Sequence, residues 1–402
     1  MRLRRRALLS GLLGGAAGGA VAAISPVSAG SESLLRGTGD LGLVIERAAS
    51  SVLIVETSGC SVLARVSGLG DLSHASATFT RDERYAFIFG RDGALTKIDL
   101  LAAAIVKRIV QAGNSIGGAI SQDGALVAVA NYDPGGVKVF DSRTLDPVTD
   151  IPAEYGHGQR SKVVGLVDAP GQRFVFSLWE AGQIWVADLS EPTRPRVERF
   201  KGIGRNPYDG LVTADGRWYV AGLFGEDGVA RLDLWNLADG VKRILPAYGP
   251  GRQKLPVYKM PHLEGWANAG SLLAIPGVGA HEVVLVDRTT WTEAGRIPVH
   301  GQPVFAVARP DGREVWVNFA HPHNDTVQVI DVPSRRVVRS FQPGRGVLHL
   351  EFTPRGEQVW MSARDDDKVL VYDTRSGARI AALPAAKPSG IFLTPRAHRT
   401  GF

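Results

Sequence analysis

At 402 residues with a single cysteine, Cys60, the chain can form neither an internal disulfide nor a cysteine metal cluster. Its formal charge of +6 comes from 46 Lys and Arg against 40 Asp and Glu, and four of those arginines lie within the first six residues. The remainder is close to neutral and carries no clustered basic stripe, which argues against a nucleic-acid partner.

Residues 1–29 read as an export signal, outside the fold. Arg2, Arg4, Arg5 and Arg6 precede an apolar run from Ala7 to Ile24, and Val27-Ser28-Ala29 gives the small-x-small pattern of a cleavage site. Arg5-Arg6-Ala7-Leu8-Leu9 also fits a twin-arginine signal, so Sec and Tat export both stay open. A membrane anchor is the alternative, but the run is short and glycine-rich for a span of about 20 apolar residues. The expectation is a periplasmic protein with one domain, residues 30–402, and no stable membrane span.

From Leu41 onward the pattern is short alternating strands between turn residues, which argues for an all-β fold. One mark recurs: an apolar strand ending in an acid before a polar turn. It falls at Glu56, Asp99, Asp141, Asp188, Asp233, Asp287, Asp331 and Asp373, at spacings of 42 to 54 residues. A four-stranded propeller blade takes about 40–50 residues, so the marks predict an eight-bladed β-propeller. The longest spacing contains Tyr248-Gly249-Pro250-Gly251-Arg252-Gln253-Lys254, read as an inserted loop. The chain begins mid-blade at Leu43-Val44-Ile45-Glu46 and ends on a lone inner strand, Ser389 to Thr394. Pairing the two closes the ring and leaves no open sheet edge.

Superposing the turns aligns one residue at the start of each inner strand: His74, Ser115, Lys162, Pro207, Pro261, Pro303, Val347 and Pro388. Inner strands surround a propeller's axis, so this column forms a ring at one mouth of the central channel. His74 is its single imidazole and a candidate ligand; a hydrogen-bonded structural histidine is the alternative. Further rim candidates are His157, Arg160, Arg205, Asn206, Tyr208, His262 and Arg345, each solvated loop surface if taken alone. Together with Lys162 they suit an anionic, planar, metal-bearing ligand. His321-Pro322-His323 resembles a chelate, but its place beside Asn324-Asp325 favours a solvated hairpin.

The run Asp71-Leu72-Ser73-His74-Ala75-Ser76, with Arg84-Tyr85, Phe89-Gly90-Arg91-Asp92-Gly93 and Ile98-Asp99-Leu100, resembles the haem d1 domain of cytochrome cd1 nitrite reductase. The likeness continues through Asn131-Tyr132-Asp133-Pro134, Thr144-Leu145-Asp146-Pro147 and Glu180-Ala181-Gly182-Gln183-Ile184. Within that superfamily, the stretch from Arg36 to Arg47 is similar to the haem d1 biosynthesis members and not to the reductase. The reductase and its relative NirN carry an N-terminal c-type haem, which a chain with one cysteine cannot attach.

The resemblance implies that His74 is the metal ligand, binding the iron from below, and that Arg91 grips the macrocycle's carboxylates. Asn131, Tyr132, His157, Arg160, Lys162, Arg205 and Trp266 complete the expected cofactor-binding set, with Tyr132, Tyr208 and Trp266 covering the ring faces. The reductase's two distal histidines fall near Asp168 and on Tyr208, and Ala77 replaces a family arginine, which counts against nitrite reduction. Asp168 and Tyr208 are then the acid/base candidates. The implied ligand is haem d1 or dihydro-haem d1, held without covalent attachment as substrate or product, with iron as the metal. Nitrite reductase and NirN are the implied partners, and a carrier or scaffold without chemistry is the alternative. No Gly-x-Gly-x-x-Gly fingerprint is present to suggest a nicotinamide enzyme.

Overall fold

The computed structural model describes residues 37–248, 265–277 and 279–401. The proposed signal segment, His262, Pro261 and most of the Tyr248–Lys254 insertion lie outside the described residues. Gly37–Phe402 forms one compact unit.

Eight four-stranded antiparallel sheets follow one another along this unit, as the periodic marks predict. We number the blades from Ser76–Phe79, the inner strand of blade 1, so that blades 2 to 7 begin at Asn114, Val163, Pro207, Ala267, Pro303 and Val347. Blade 8 closes the ring. Its inner strand, Pro388–Leu393, pairs with Leu41–Glu46, with Val44 opposite Ile391.

The second strand of each blade is packed on both faces and reads as an apolar run, such as Tyr85–Phe89 or Arg173–Leu178. Outermost strands such as Ala104–Val110 face solvent and carry mixed sequence. The acidic marks are turn anchors. Asp99 accepts the N–H groups of Leu101 and Ala102, and Asp141 those of Arg143 and Thr144, fixing the turn into the fourth strand. At the turns after the inner strands of blades 2, 4, 6 and 7, Gly124, Gly216, Gly312 and Gly356 adopt φ near +70°, where a side chain would be strained.

The inner strand of blade 2 packs tightly against the second strand of blade 1. A Cβ on Gly118 would lie 2.2 Å from the Phe89 ring, so the blade 2 inner strand can seat there only with glycine. Among the described residues, no helix is long and apolar enough to cross a membrane.

Candidate functional site

The inner strands all run from one mouth of the channel to the other. At the first mouth the segment before blade 1 is fixed by its own backbone. Asp71 accepts the Ser73 N–H at 2.8 Å, an Asx turn that delivers His74 two residues ahead of its strand. The Asp71 carbonyl accepts the Arg91 N–H at 2.8 Å, joining this turn to the loop after the blade's second strand. His74 is half-buried and lines the axial channel with Arg47, Ser73 and, deeper, Ala77, Gly117, Gly118 and Phe305. The walls are mainly apolar.

An aromatic wall extends from this point around blades 1 to 4. The Arg91 guanidinium stands 5.9 Å from the Tyr132 ring centre. The Tyr132 hydroxyl meets that of Tyr208 at 3.5 Å, and Trp179 packs edge-on against Tyr208 at 5.3 Å and against Phe224 at 5.2 Å. Tyr132 and Tyr208 therefore belong together, beside Arg91.

The other expected residues separate into groups. Lys162 is tied to Glu180 at 2.5 Å, Arg160 to Glu154 at 3.0 Å, Arg205 to Glu226 at 3.3 Å and Arg345 to Asp366 at 2.7 Å. They share the face but are already neutralised. His157 is exposed at the tip of a two-stranded hairpin, Glu154–Gly156 with Gln159–Arg160. Asn131 is buried and exchanges amide hydrogen bonds with Gln111, at 2.9 and 3.2 Å, which occupies both ends of its side chain. Trp266 is placed away from the mouth: it is 5 % exposed and packs with Leu211, Val220 and Tyr248 in an apolar cluster. His323 stacks edge-on against His300 at 4.4 Å, and no group of three or more metal-binding side chains occurs among the described residues.

Asp168 lies at the opposite mouth. It stands six residues beyond Lys162, in the column of Thr80, Ser121, Thr213 and Thr353, whose hydroxyls serve the turns after the inner strands. There it is completely buried and accepts the Gly401 N–H at 2.8 Å, with Gln122 and Arg81 also against it. Burial pushes its carboxyl up to about 6, against the pull of Gly401 and Arg81.

The segment from Thr394 to Gly401 reaches blades 1, 3, 4 and 7. Arg81 donates to the Ala397 carbonyl, Arg396 forms a buried bidentate pair with Glu351 at 2.7 and 2.5 Å, and Gly401 packs against Val212. Those four blades surround the axis, so the tail lies across the far mouth.

Two side chains of the channel escaped the sequence reading. His349, on the blade 7 inner strand, accepts the Ile391 N–H on Nδ1 at 3.2 Å, which leaves the proton of its neutral ring on Nε2. Arg47 follows the second strand of blade 8, as Arg91 nearly follows that of blade 1 and Arg364 that of blade 7. Aligning the ends of second strands would have shown this arginine arc; aligning the starts of inner strands does not.

Residues 36–397 match the family described as Cytochrome D1 heme domain. The chain is 59 % identical to Protein NirF of Pseudomonas aeruginosa over 369 residues, covering 91 % of this chain and 94 % of that protein. It is 55 % identical to Protein NirF of Stutzerimonas stutzeri, covering 95 % and 98 %. Among solved structures, dihydro-heme d1 dehydrogenase NirN in complex with DHE matches with a TM-score of 0.77 at 25 % identity, over 90 % of this chain and 76 % of that one.

Proposed function

The chain belongs to the cytochrome D1 heme domain family, alongside the NirF proteins, and from that premise we propose that it binds haem d1 or dihydro-haem d1 at the His74 mouth during haem d1 biosynthesis. The observation that carries this reading is local. A half-buried imidazole stands at the mouth of an apolar channel, beside Arg91, which has no ion-pair partner among the described residues, and beside the Tyr132–Tyr208 wall. These groups fit a flat, apolar ring bearing carboxylates and a metal. The ring, when bound, brings an iron centre and a redox-active macrocycle.

His74 is the proposed axial ligand, holding the ring in register with the channel. Arg91 orients a carboxylate by charge-assisted hydrogen bonds, and Tyr132 and Tyr208 exclude water from the ring's edge. Tyr208 is the acid/base group nearest this site. The paired cations Arg160, Lys162 and Arg205 contribute the positive face without each binding a carboxylate directly. The export-type leader supports action in the periplasm, upstream of nitrite reductase, with transfer of the ring to that enzyme or to NirN.

A second reading, a carrier that passes the ring on unchanged, is favoured by one observation. Asp168, nominated as an acid/base group, faces the tail at the far mouth, which leaves the ring side with Tyr208 alone. Mass spectrometry of the bound ring before and after incubation with an electron acceptor separates the two. A loss of two mass units supports chemistry at the site, and an unchanged mass supports the carrier. No change in the Soret band of haem d1 on mixing with the protein would overturn both.

A further inference from the structure

We propose that His300 and His323, on the rim of blade 6, form a binding site for one divalent transition-metal ion of the imidazole-preferring class, such as Zn(II) or Ni(II). The site is separate from the tetrapyrrole site proposed above and does not depend on it. In the sequence, His321-Pro322-His323 reads as a chelate or a solvated hairpin; the structure brings His300 to it from the preceding connection.

His300 lies in the connection before the inner strand Pro303–Ala308, and His323 in the loop after the second strand, Glu314–Phe319. Both therefore lie at the first-mouth end of blade 6, yet neither lines the axial channel. Their rings meet edge-on with centres 4.4 Å apart. The two host segments are held in place without a metal. The Ala320 N–H donates to the Gln302 carbonyl at 2.9 Å, and the His323 N–H to the Ala320 carbonyl at 3.0 Å. The His300 N–H donates to Gln328 Oε1 at 2.9 Å, and Phe319 backs the His300 ring at 6.0 Å. Gly301 provides the room, since a Cβ there would lie 2.7 Å from the His323 ring.

Among the described residues, neither imidazole has a hydrogen bond or ion pair through its ring nitrogens, so these donors are not committed within the fold. His300 is exposed and His323 half-buried, which lets an ion reach them from solvent. Neutral imidazole is the commonest protein ligand of such metals, at nitrogen–metal distances of about 2.0–2.1 Å. Two rings with centres 4.4 Å apart can each turn a nitrogen to one ion lying between them. The neighbouring carboxylate is engaged elsewhere: Asp325 accepts the Thr326 hydroxyl at 2.9 Å on one oxygen and the Gln342 amide at 3.1 Å on the other. His321 is exposed and lies outside the pair. The donor set is thus two nitrogens, completed by water, which selects Zn(II), Ni(II) or Cu(II) over the oxygen-seeking Ca(II) and Mg(II). Bound there, the ion would tie the connection entering blade 6 to the loop leaving its second strand.

The test is isothermal titration of the full chain, carrying no histidine tag, with zinc chloride and nickel chloride, and with magnesium chloride as the oxygen-preferring control. Wild type should bind one equivalent of Zn(II) or Ni(II) and no Mg(II), and Zn(II) should raise its thermal midpoint. His300→Gln and His323→Gln should each weaken Zn(II) binding by about tenfold or more and cancel the thermal shift. Their metal-free midpoints should match that of wild type, because neither substitution removes a ring hydrogen bond. His321→Gln and His74→Ala should bind Zn(II) as wild type does. If a Gln variant does not fold, ring-nitrogen NMR of wild type decides: Zn(II) should shift two of the nine imidazoles, and a shift of none or of more than two overturns the site. A wild type that binds neither metal, or undiminished affinity in both Gln variants, also overturns it. An equal loss on His321→Gln would assign the ion to the sequence-adjacent chelate, and one on His74→Ala to the channel mouth; either result would refute the His300–His323 pair.

Discussion

The Arg91 N–H donates to the Asp71 carbonyl at 2.8 Å, and through that one bond the loop bearing the proposed anchor holds the turn that presents His74. Asp92 reinforces the joint by pairing with Arg108 at 2.5 Å and facing the Asp71 N–H at 3.4 Å. Gly90 lets the two loops approach, since a Cβ there would lie 3.3 Å from the Asp71 carbonyl oxygen. The proposed ligand and anchor are therefore set by blade 1 and the turn leading into it, as one rigid corner.

If the proposed roles hold, that corner predicts opposite phenotypes for substitutions at His74 and Arg91. His74→Ala should abolish the axial-ligand signature and shift the Soret band of the haem d1 complex while binding persists. Arg91→Ala should leave the band in place and weaken binding by about 10- to 150-fold, the equivalent of 1.5–3 kcal/mol. An unchanged spectrum for His74→Ala would make that histidine structural.

Trp266 was expected over the ring and is found in the core between blades 4 and 5, against Leu211, Val220 and Tyr248. Trp266→Ala should therefore cost about 3–5 kcal/mol of stability, read from denaturant midpoints, through the cavity it leaves. Affinity for haem d1 in the folded fraction should be unchanged. A selective loss of affinity with intact stability would return this side chain to the site.

The eight blades were legible because one physical device, an acid capping the turn into the fourth strand, recurs at a fixed period, and because the ends complement each other. The ring at the first mouth was legible for the same reason: a position in a repeat is a position in space. What periodicity does not reveal is which charges cancel. Lys162 and Arg205 look as available as Arg91 until Glu180 and Glu226, 18 and 21 residues away, are seen against them. Asp168 was misplaced in depth, although the register carried the information. It occupies the Ser/Thr column at the far end of the inner strands, six residues past the His74 column. Asn131 lies near the mouth end of the second strand of blade 2, yet Gln111 from the preceding connection consumes its amide.

Closure at the far mouth predicts a stability defect with no ligand phenotype. Glu351 and Arg396 are both almost wholly buried and face one another through two hydrogen bonds. Glu351→Gln takes the facing carboxylate away from the buried guanidinium, which should cost about 3–5 kcal/mol in denaturant unfolding. Replacing both, as Glu351→Leu with Arg396→Met, should recover most of that loss, because no charge is then stranded. A double variant as unstable as the single one would show that the pair's shape, and not its charge, holds the tail.

Asp168 turns the same closure into a pH dependence of defined sign. Its folded value, pushed up to about 6 by burial, exceeds the ordinary 3.8. Between those values the native state holds a proton that the unfolded chain has released, so stability falls as pH rises through the window. Two pH units correspond to about 3 kcal/mol, all of it felt above pH 6 and none of it below the ordinary value. Asp168→Asn cannot ionise and escapes the penalty. The variant's stability relative to wild type should rise by up to about 3 kcal/mol from pH 4 to pH 7 and level off beyond, as read from denaturant midpoints across that range. A relative stability independent of pH would mean that Arg81 and the Gly401 N–H hold the carboxylate charged throughout. In that case Asp168→Asn should also release the tail, which proteolysis at the C-terminus would register.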